Sequence, residues 1–401
     1  MRATGSNRED LRQHNLSLVL RLVHRAGSIS RSELTRLTGL NRSTISDLVA
    51  DLVTLGLTIE REPESSTRVG RPSLNVSVVA EVACFVISPG YHSTTVAVVG
   101  LGGRVIAKRR KSTRINPNPD EVVETAIELI AQMSRDLPTK TRIAGVGVPV
   151  PGQVNILQKS VRFAPHLNWV DVPLGQMLED ALGLPVRLDN DGSLSSSAER
   201  DFGAGKGFDD IIYLFGGDGG IGGGIIMGGN VIRGSTGYAG ELGHVRISDS
   251  RTEDSAGLPG TLEALVRRED LIEALRLDDA DDDELHSALQ GKLPPKVSRL
   301  VERQIDYLAL AIANLVNIFN PQVVLLAGFL SALYDIDDYR LVNQVRLSSL
   351  NGARERVQIR TAALGSNLLL VGAAELAFAA LLNDPAETKL FRIRDVKKPK
   401  P

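Results

Sequence analysis

Two pairs of polar side chains in the middle of this 401-residue sequence are suited to binding a ligand rich in hydroxyl groups. Asn190 and Asp191 follow a strand-like segment, Val186 to Leu188, which would hold them rigidly at the edge of a cleft. An amide and a carboxylate there can form several hydrogen bonds with hydroxyls. Taken alone, Asn-Asp-Gly is equally typical of a turn, so the pair is a candidate site only.

Glu241 and His244 form the second pair, at positions i and i+3, and both side chains can converge on one ligand. A lone Glu or His is more often an ordinary surface residue or a hydrogen-bonded polar one. A glycine-rich run, residues 216–224, lies between the two pairs and between two strand-like segments. Glycines let backbone N–H groups approach phosphates or sugar hydroxyls, but they also serve tight turns. The run predicts a turn.

Four groups of residues, by their order and spacing, resemble the ROK family (repressors, open reading frames and sugar kinases), in particular its xylose-repressor-like regulators. They are Gly145-Val146-Gly147-Val148-Pro149 with Pro151-Gly152, then Asn190-Asp191, then residues 218–224, and finally Gly240-Glu241-Leu242-Gly243-His244. The resemblance covers nearly the whole chain. It implies an α/β protein in which a winged helix-turn-helix precedes a two-lobed, actin-like and sugar-kinase-like (RNase H-like) domain.

The resemblance also implies roles for individual residues. In the family's kinases the residue that matches Asp191 is the general base that takes the proton of the attacking sugar hydroxyl. The run 216–224 resembles the family's nucleotide-binding turn. Glu263 matches the Glu that follows the family's cysteine loop. The implied sugar-binding residues are Gly152, Asn190, Asp191, Glu241, His244 and Glu263.

Two departures from the kinases bear on activity. The family's kinases open the body with an Asp-x-Gly-x-Thr phosphate loop, whereas here Ser88 stands at the Asp position of Ile87 to His92. Gly219 stands where the second phosphate turn has Thr. Phosphoryl transfer depends on positioning the phosphates and neutralising their charge. We therefore expect no catalytic residues, no cofactor and no kinase activity.

The family's zinc site is also altered. The family builds it from a His and three Cys; His244 remains, but the Cys positions hold Asp254, Ala256 and Thr261. A structural zinc requires four thiolate or imidazole ligands, and this set does not supply them. We expect no metal, and a loop over residues 248–262 that is less firmly anchored beside His244.

An N-terminal head of three predicted amphipathic helices precedes this body in the sequence. Leu16, Val19, Leu20 and Val23 form the first apolar stripe, which Gly27 ends. Ser30 and Glu33 form a capping-box pattern before a short second helix, and Asn41 can cap a third. Two alternating segments, Leu57 to Glu62 and Arg68 to Val76, predict a hairpin. This is the order of a winged helix-turn-helix.

The third helix of the head is the candidate DNA reader. Its apolar stripe leaves Arg42, Ser43, Thr44 and Ser46 facing away, with a reach suited to base edges and phosphates. After the hairpin, Arg68 and Arg71 flank a glycine and precede a proline, which suits insertion into a narrow minor groove. The alternatives are a three-helix protein-interaction module and an ordinary Gly-Pro linker.

Composition limits the class of protein. The net charge of −2 gives no overall attraction to nucleic acid, and the head has eleven Arg against eight Asp or Glu over residues 1–72. The single cysteine, Cys84, excludes an internal disulfide and a cysteine-cluster metal site. No uninterrupted apolar run approaches the roughly 18 residues that cross a bilayer. We expect a cytoplasmic protein without a membrane partner.

The predicted organisation has six parts. They are a winged helix-turn-helix over 1–62, the wing end and Gly-Arg-Pro linker over 63–81, lobe 1 over 82–190, lobe 2 over 191–364, a C-terminal helix returning to lobe 1 over 365–385, and a basic tail over 386–401, frayed from Arg392 onward.

The function that these features predict is repression of carbohydrate-utilisation genes. The expected partners are double-stranded operator DNA, a sugar or sugar phosphate as effector, and a second copy of the chain in a homodimer or a dimer of dimers. One alternative is a ROK-type sugar kinase, favoured by Asp191 and opposed by Ser88. Another is a repressor that a protein partner controls.

Overall fold

The computed structural model describes residues 8–62, 73–217, 219–235, 237–277, 280 and 282–396. The chain divides into two compact units. The first comprises residues 1–189 and 370–401, and the second comprises residues 190–369. The N-terminal head therefore belongs to the same unit as the first part of the body.

The head consists of three helices and a small sheet, in the order of a winged helix: α1 (Arg8–Ala26), β1 (Ser28–Ser30), α2 (Arg31–Thr38), α3 (Arg42–Thr54), β2 (Thr58–Arg61) and β3 (Asn75–Val78). The predicted antiparallel pairing is confirmed by β2 and β3, although β3 ends at Val78, two residues beyond the predicted segment Arg68 to Val76. The sequence did not predict β1, which pairs with the other side of β3. Residues 63–72 lie outside the described part of the chain.

Local capping explains where the helices of the head begin. The Asn41 side chain accepts a hydrogen bond from the Thr44 N–H at 2.8 Å, as the sequence predicts. Ser30 accepts one from the Glu33 N–H at 3.1 Å. The Glu33 carboxylate pairs with Arg36. The apolar stripes of α1 and α3 are buried, including Val19, Leu20, Val49 and Leu52.

The rest of the first unit is built on one sheet with the strand order β11-β7-β4-β5-β6. Its elements are β4 (Val82–Pro89), β5 (Ser93–Gly100), β6 (Val105–Ser112), α4 (Pro119–Asp136), β7 (Arg142–Val150), β8 (Gln153–Asn155), β9 (Ser160–Ala164), β10 (Trp169–Val172), α5 (Leu174–Leu182) and β11 (Val186–Asn190). Strands β8, β9 and β10 form a separate three-stranded sheet.

The second unit is built on a five-stranded sheet in the order β14-β13-β12-β15-β16. Its elements are α6 (Asp191–Phe202), β12 (Ile211–Gly217), β13 (Gly220–Met227), β14 (Asn230–Val231), α7 (Leu262–Leu265), α8 (Arg268–Leu275), α9 (Asp282–Leu289), α10 (Pro295–Phe319), β15 (Val323–Gly328), α11 (Phe329–Ile336), α12 (Asp338–Ser348), α13 (Asn351–Arg354) and β16 (Gln358–Thr361). The amphipathic helix α10 buries one face in its core.

The chain returns to the first unit through α14 (Leu368–Asn383) and β17 (Phe391–Arg392), which pairs with β7. The stretch Gly365–Asn383 is long and apolar enough to cross a membrane by length and composition alone, but 56% of its most apolar window is buried inside the protein. Ala373, Ala374 and Phe378 are fully buried. In this structure α14 is a core helix.

The glycine-rich run contains the predicted reversal of the chain, because β12 and β13 pair antiparallel up to Gly217 and Gly220; the rest of the run is strand. One prediction of local structure was wrong. The tail is ordered from Arg392 to Val396, since β17 pairs with β7 and Ile393 and Val396 bury their side chains in the core of the first unit. Residues 397–401 lie outside the described part of the chain.

Candidate functional site

Close backbone packing in the second unit positions Asp191. Helix α6, whose first residue is Asp191, lies directly on the glycine-rich strand β13. A Cβ atom added at Gly192 would lie 2.2 Å from the Gly223 carbonyl oxygen, and one at Gly224 would lie 2.6 Å from the Gly192 carbonyl oxygen. Side chains at these positions would push the helix away from the strand. The glycines therefore determine where the Asp191 carboxylate lies.

The electrostatic setting of Asp191 is unusual for an aspartate. Its Oδ1 accepts a hydrogen bond from the Gly192 N–H at 2.8 Å. Desolvation, assisted by the negative charge of Glu241, raises its pKa to about 6, although the bond from Gly192 opposes the change. Asn190 accepts from the Ser193 N–H at 3.1 Å and caps α6. The predicted turn and the predicted ligand pair thus coincide at a helix N-terminus.

Glu241 directly precedes a 3₁₀ turn, Leu242–His244, which ends at His244 and packs against β13. Gly243 makes this contact possible, since a Cβ there would lie 2.0 Å from the Ile221 carbonyl oxygen. Desolvation and the charge of Glu263 raise the pKa of Glu241, while His244 opposes them. The charge of Glu241 in turn helps to raise the pKa of Asp191.

Asp254 organises the neighbouring loop, and the sequence did not single it out as a site residue. Its Oδ2 accepts hydrogen bonds from His244 Nδ1 and from the Thr261 hydroxyl, both at 2.8 Å. Its Oδ1 accepts from the N–H groups of Ala256 and Leu258, both at 2.9 Å. These bonds lower the pKa of Asp254 against its desolvation. Burial lowers the pKa of His244, but Asp254 and the nearby carboxylates outweigh it and raise the pKa.

Glu263, on α7, is 9% exposed and its carboxylate is fully engaged. Oε2 accepts from the Ile221 N–H at 2.8 Å, and Oε1 accepts from the Ser255 N–H at 3.0 Å and the Ser255 hydroxyl at 2.5 Å. It joins the start of β13 to the Asp254 loop. In this structure Glu263 holds the site together, and a ligand contact would come in addition to those bonds.

The donor set beside His244 does not fit the family's zinc. One ligand atom each from His244, Asp254 and Glu263 lie within 4.8 Å of one another. None of the three is a thiolate, and their hydrogen bonds to one another or to the backbone already engage them. The loop that the family anchors with a metal is anchored here by Asp254, contrary to the expectation of a loosely held loop.

Ser88, Gly219 and Gly152 are the remaining residues that the sequence singled out in the body. Ser88 is a half-buried residue of β4 and pairs with Thr95. Gly219 follows β12 directly before β13 begins. Gly152 is in the first unit; its φ of +156° and a Cβ position 2.4 Å from the Phe163 carbonyl oxygen both require glycine. Ser88 has no carboxylate to match the kinase Asp, and Gly219 has no hydroxyl to match the kinase Thr.

The candidate DNA reader is the N-terminal turn of α3. Arg42 and Ser43 are exposed, Thr44 is half-buried, and Ser43 donates to Asn41 at 2.7 Å. Ile45 between them is buried, which keeps the polar side chains on the outer face. An exposed arginine and hydroxyls at the start of such a helix can reach phosphates and base edges.

Ser46 has a different environment from its neighbours on α3. Its hydroxyl accepts from Arg31 Nη1 at 3.1 Å, and Arg31 also forms an ion pair with Glu60 on β2 at 2.5 Å. Arg31 therefore ties α2, α3 and the wing strand together, a role that the sequence did not indicate. Arg68 and Arg71 lie outside the described residues.

Comparisons with known proteins agree with this architecture. The ROK family model matches residues 84–380. A xylose repressor from Caldicellulosiruptor bescii is 26% identical over 392 residues, which cover 94% of this chain and 98% of the relative. A glucokinase from Streptomyces coelicolor is 30% identical over 306 residues, which cover 70% of this chain and 92% of that enzyme.

A solved structure gives the same result at the level of the fold. The crystal structure of a ROK family transcriptional regulator, a homolog of the Escherichia coli MLC protein, superposes with a TM-score of 0.75 at 24% identity and covers 93% of this chain and 97% of that chain. The actin-like fold expected from the sequence is confirmed. Because the family model spans residues 84–380, well over half of the chain, this protein belongs to the ROK family.

Proposed function

We propose that this protein is a cytoplasmic, sugar-responsive transcriptional repressor that acts without phosphoryl transfer. It binds operator DNA through its head and an effector through the Asp191 cluster, which consists of Asp191, Glu241 and His244. One observation carries the proposal. The same chain joins a winged-helix head with an exposed polar turn at Arg42 to a ROK family body that carries Asp191 but has Ser88 where the family's kinases have Asp.

The chemistry of the cluster favours a polyhydroxylated effector. Asp191 and Glu241 present carboxylates, and His244 presents an imidazole whose Nδ1 is already bonded to Asp254. Carboxylates accept hydrogen bonds from sugar hydroxyls, and the remaining imidazole nitrogen can bond one more. Relatives named as xylose repressors and glucokinases support a pentose or hexose, free or phosphorylated.

The protein is proposed to act as a homodimer or a dimer of dimers. Each chain carries one head, which is too small to specify an operator alone. Paired helix-turn-helix heads read successive major grooves about 34 Å apart. Sedimentation of the protein–DNA complex should therefore give an even number of chains, and a complex with a single chain would contradict this assembly.

Mutations in the cluster test the proposal. Duplexes that the protein retains from sheared genomic DNA serve as the operator, and fluorescence anisotropy follows binding during titration with D-xylose or D-glucose. Asp191→Ala and Glu241→Ala should bind this DNA as the parent does but should not release it with sugar. Release from both variants at the parent's sugar concentration would refute the assignment of the cluster.

A sugar kinase is the second candidate, and the pKa of Asp191 favours it. A carboxyl with a pKa of about 6 is closer to neutrality than an ordinary aspartate and is therefore a stronger base for a sugar hydroxyl. A coupled assay with ATP, magnesium and the same sugars separates the two functions. Turnover above a no-protein control that Asp191→Asn abolishes would establish the kinase.

A further inference from the structure

The chain passes from the first compact unit to the second after Asp189, where β11 meets α6, and it returns within α14 at residue 370. Asp191, the candidate effector ligand, is the first residue of α6. Any displacement of the Asp191 carboxylate by a ligand therefore acts directly on the start of α6.

A buried carboxylate ties α6 to the segment that leads into α14. Glu199, two turns after Asp191, has no exposed surface. Its Oε1 accepts hydrogen bonds from the N–H groups of Ala363 and Leu364, both at 2.9 Å, and its Oε2 accepts from the Ala204 N–H at 2.8 Å. A buried carboxylate requires hydrogen-bond donors, and three backbone N–H groups fix the position of the Glu199 side chain. Helix α6 and the segment that leads into α14 are thus held together within the second unit.

The part of α14 that belongs to the first unit contacts helix α1 of the head. Glu375 Oε1 lies 2.5 Å from Nε2 of His24, which is 1% exposed. The Gly102 N–H donates to Nδ1 of the same ring at 2.8 Å. Because an N–H can only donate, Nδ1 is the acceptor, and the ring proton is on Nε2 and faces Glu375. Two turns closer to the N-terminus of α1, Ser17 donates to the Leu382 carbonyl oxygen at 2.6 Å.

The reading helix is also held from the body of the first unit. Arg142, on β7, donates to the carbonyl oxygens of Leu55, at 3.0 Å, and Gly56 at the C-terminal end of α3. A guanidinium at this position satisfies carbonyls that the helix leaves unpaired and complements its dipole. The orientation of α3 is therefore fixed to the sheet and not only to the rest of the head.

We propose that Glu199 and the Glu375–His24 pair are positioning residues that transmit effector occupancy at Asp191 to the DNA-binding head through α14. The inference rests on the proposed function. It adds a specific route: α6, the Glu199 contact, α14, then α1. A contiguous set of contacts is not by itself proof of coupling, so the test must measure the coupling.

The test uses the full chain and determines DNA affinity with and without saturating D-xylose or D-glucose. The ratio of the two dissociation constants is the coupling factor, which for typical allosteric proteins is about 5 to 150. Glu375→Ala removes the acceptor for His24, whereas Glu375→Gln retains it. Glu387→Ala removes a charge at an exposed position after α14 and is the control.

The expected result is specific to the route. Glu375→Ala should keep sugar-free DNA affinity and sugar affinity within about threefold of the parent, yet lower the coupling factor by at least about fivefold. Glu375→Gln and Glu387→Ala should keep the parent's coupling factor. An unchanged factor in Glu375→Ala, in a parent that does respond, would overturn the route while leaving the proposed function intact.

If no sugar releases DNA from the parent protein, the proposed function is overturned, and the route then needs a test of its own. Hydrogen exchange in the sugar-free protein supplies that test. Glu199→Gln replaces one acceptor oxygen by an amide that cannot accept. Exchange should become faster at residues 363–364 and also along α1, which has no contact with Glu199 and lies far from it in the sequence. Faster exchange confined to residues 363–364 would show a local structural role and would refute transmission to the head.

Discussion

Asp191→Asn should stabilise the folded protein at neutral and alkaline pH, although it removes a proposed ligand-binding group. The folded-state pKa of about 6 lies above the value of 3.8 for an unperturbed aspartate. Ionising this carboxyl in the folded protein therefore costs at most about 3 kcal/mol more than in the unfolded chain. Asn keeps an oxygen that can accept the Gly192 N–H bond and carries no charge.

The sign and pH range follow from linkage. Below a pH of about 3.8 the carboxyl is protonated in both states and has no effect on stability. As the pH rises toward 6, the unfolded chain loses this proton before the folded protein does, so folding becomes less favourable. Above about 6 the penalty is complete. The advantage of Asp191→Asn over the parent should therefore be full at pH 8 and below about 1 kcal/mol at pH 4.

Urea unfolding at pH 8 and pH 4 measures the free energies of unfolding of the parent and the variant. Comparing the two pH values removes any pH-independent effect of the substitution. Asp249→Asn, at a fully exposed carboxylate of the same unit, is the control and should follow the parent at both pH values. A variant that is destabilised by the same amount at pH 8 and pH 4 would refute the electrostatic account of Asp191.

Three further predictions concern other parts of the molecule. Arg42→Ala should weaken DNA binding by about 1–3 kcal/mol if the side chain reads a base, or lower the salt dependence by about one ion if it contacts phosphate; anisotropy over a salt series distinguishes these, and an unchanged affinity and slope would exclude Arg42 from the interface. Asp254→Ala leaves His244 and two backbone N–H groups without their acceptor, so it should lower Tm and abolish sugar binding in calorimetry; a zinc-dependent Tm in the parent would contradict the role of Asp254. Effector affinity should fall as the pH drops through about 6, because Asp191 becomes protonated, and this step should be absent in Asp191→Asn; a pH-independent parent affinity would contradict the assignment.

Local features of the fold were predictable from sequence because they depend on neighbouring residues. Asn41 caps α3 through a bond to Thr44, three positions away, and the stripe of Val19 and Leu20 follows from helical periodicity. The prediction of a frayed tail from Arg392 onward was wrong. The charge and prolines of the tail suggested fraying, but Ile393 and Val396 enter a core formed by residues distant in sequence.

The candidate site was predictable only where a family pattern identified it. Asp191, Glu241 and His244 belong to the motifs that carry the resemblance. Asp254 was considered only as a missing cysteine, although an Asp three residues before a glycine is a signal for a side chain that caps its own turn. Nothing in the sequence pattern indicated the role of Glu199, because its partners Ala363 and Leu364 are more than 160 residues away and contribute only backbone N–H groups.

The most direct test is release of DNA by sugar in the complete absence of nucleotide, with recovery and mass analysis of the sugar afterwards. The account predicts that D-xylose or D-glucose lowers the affinity for selected duplexes, that the sugar is recovered unmodified, and that adding ATP and magnesium changes neither result. Release that requires ATP, or a phosphorylated sugar among the products, would contradict it.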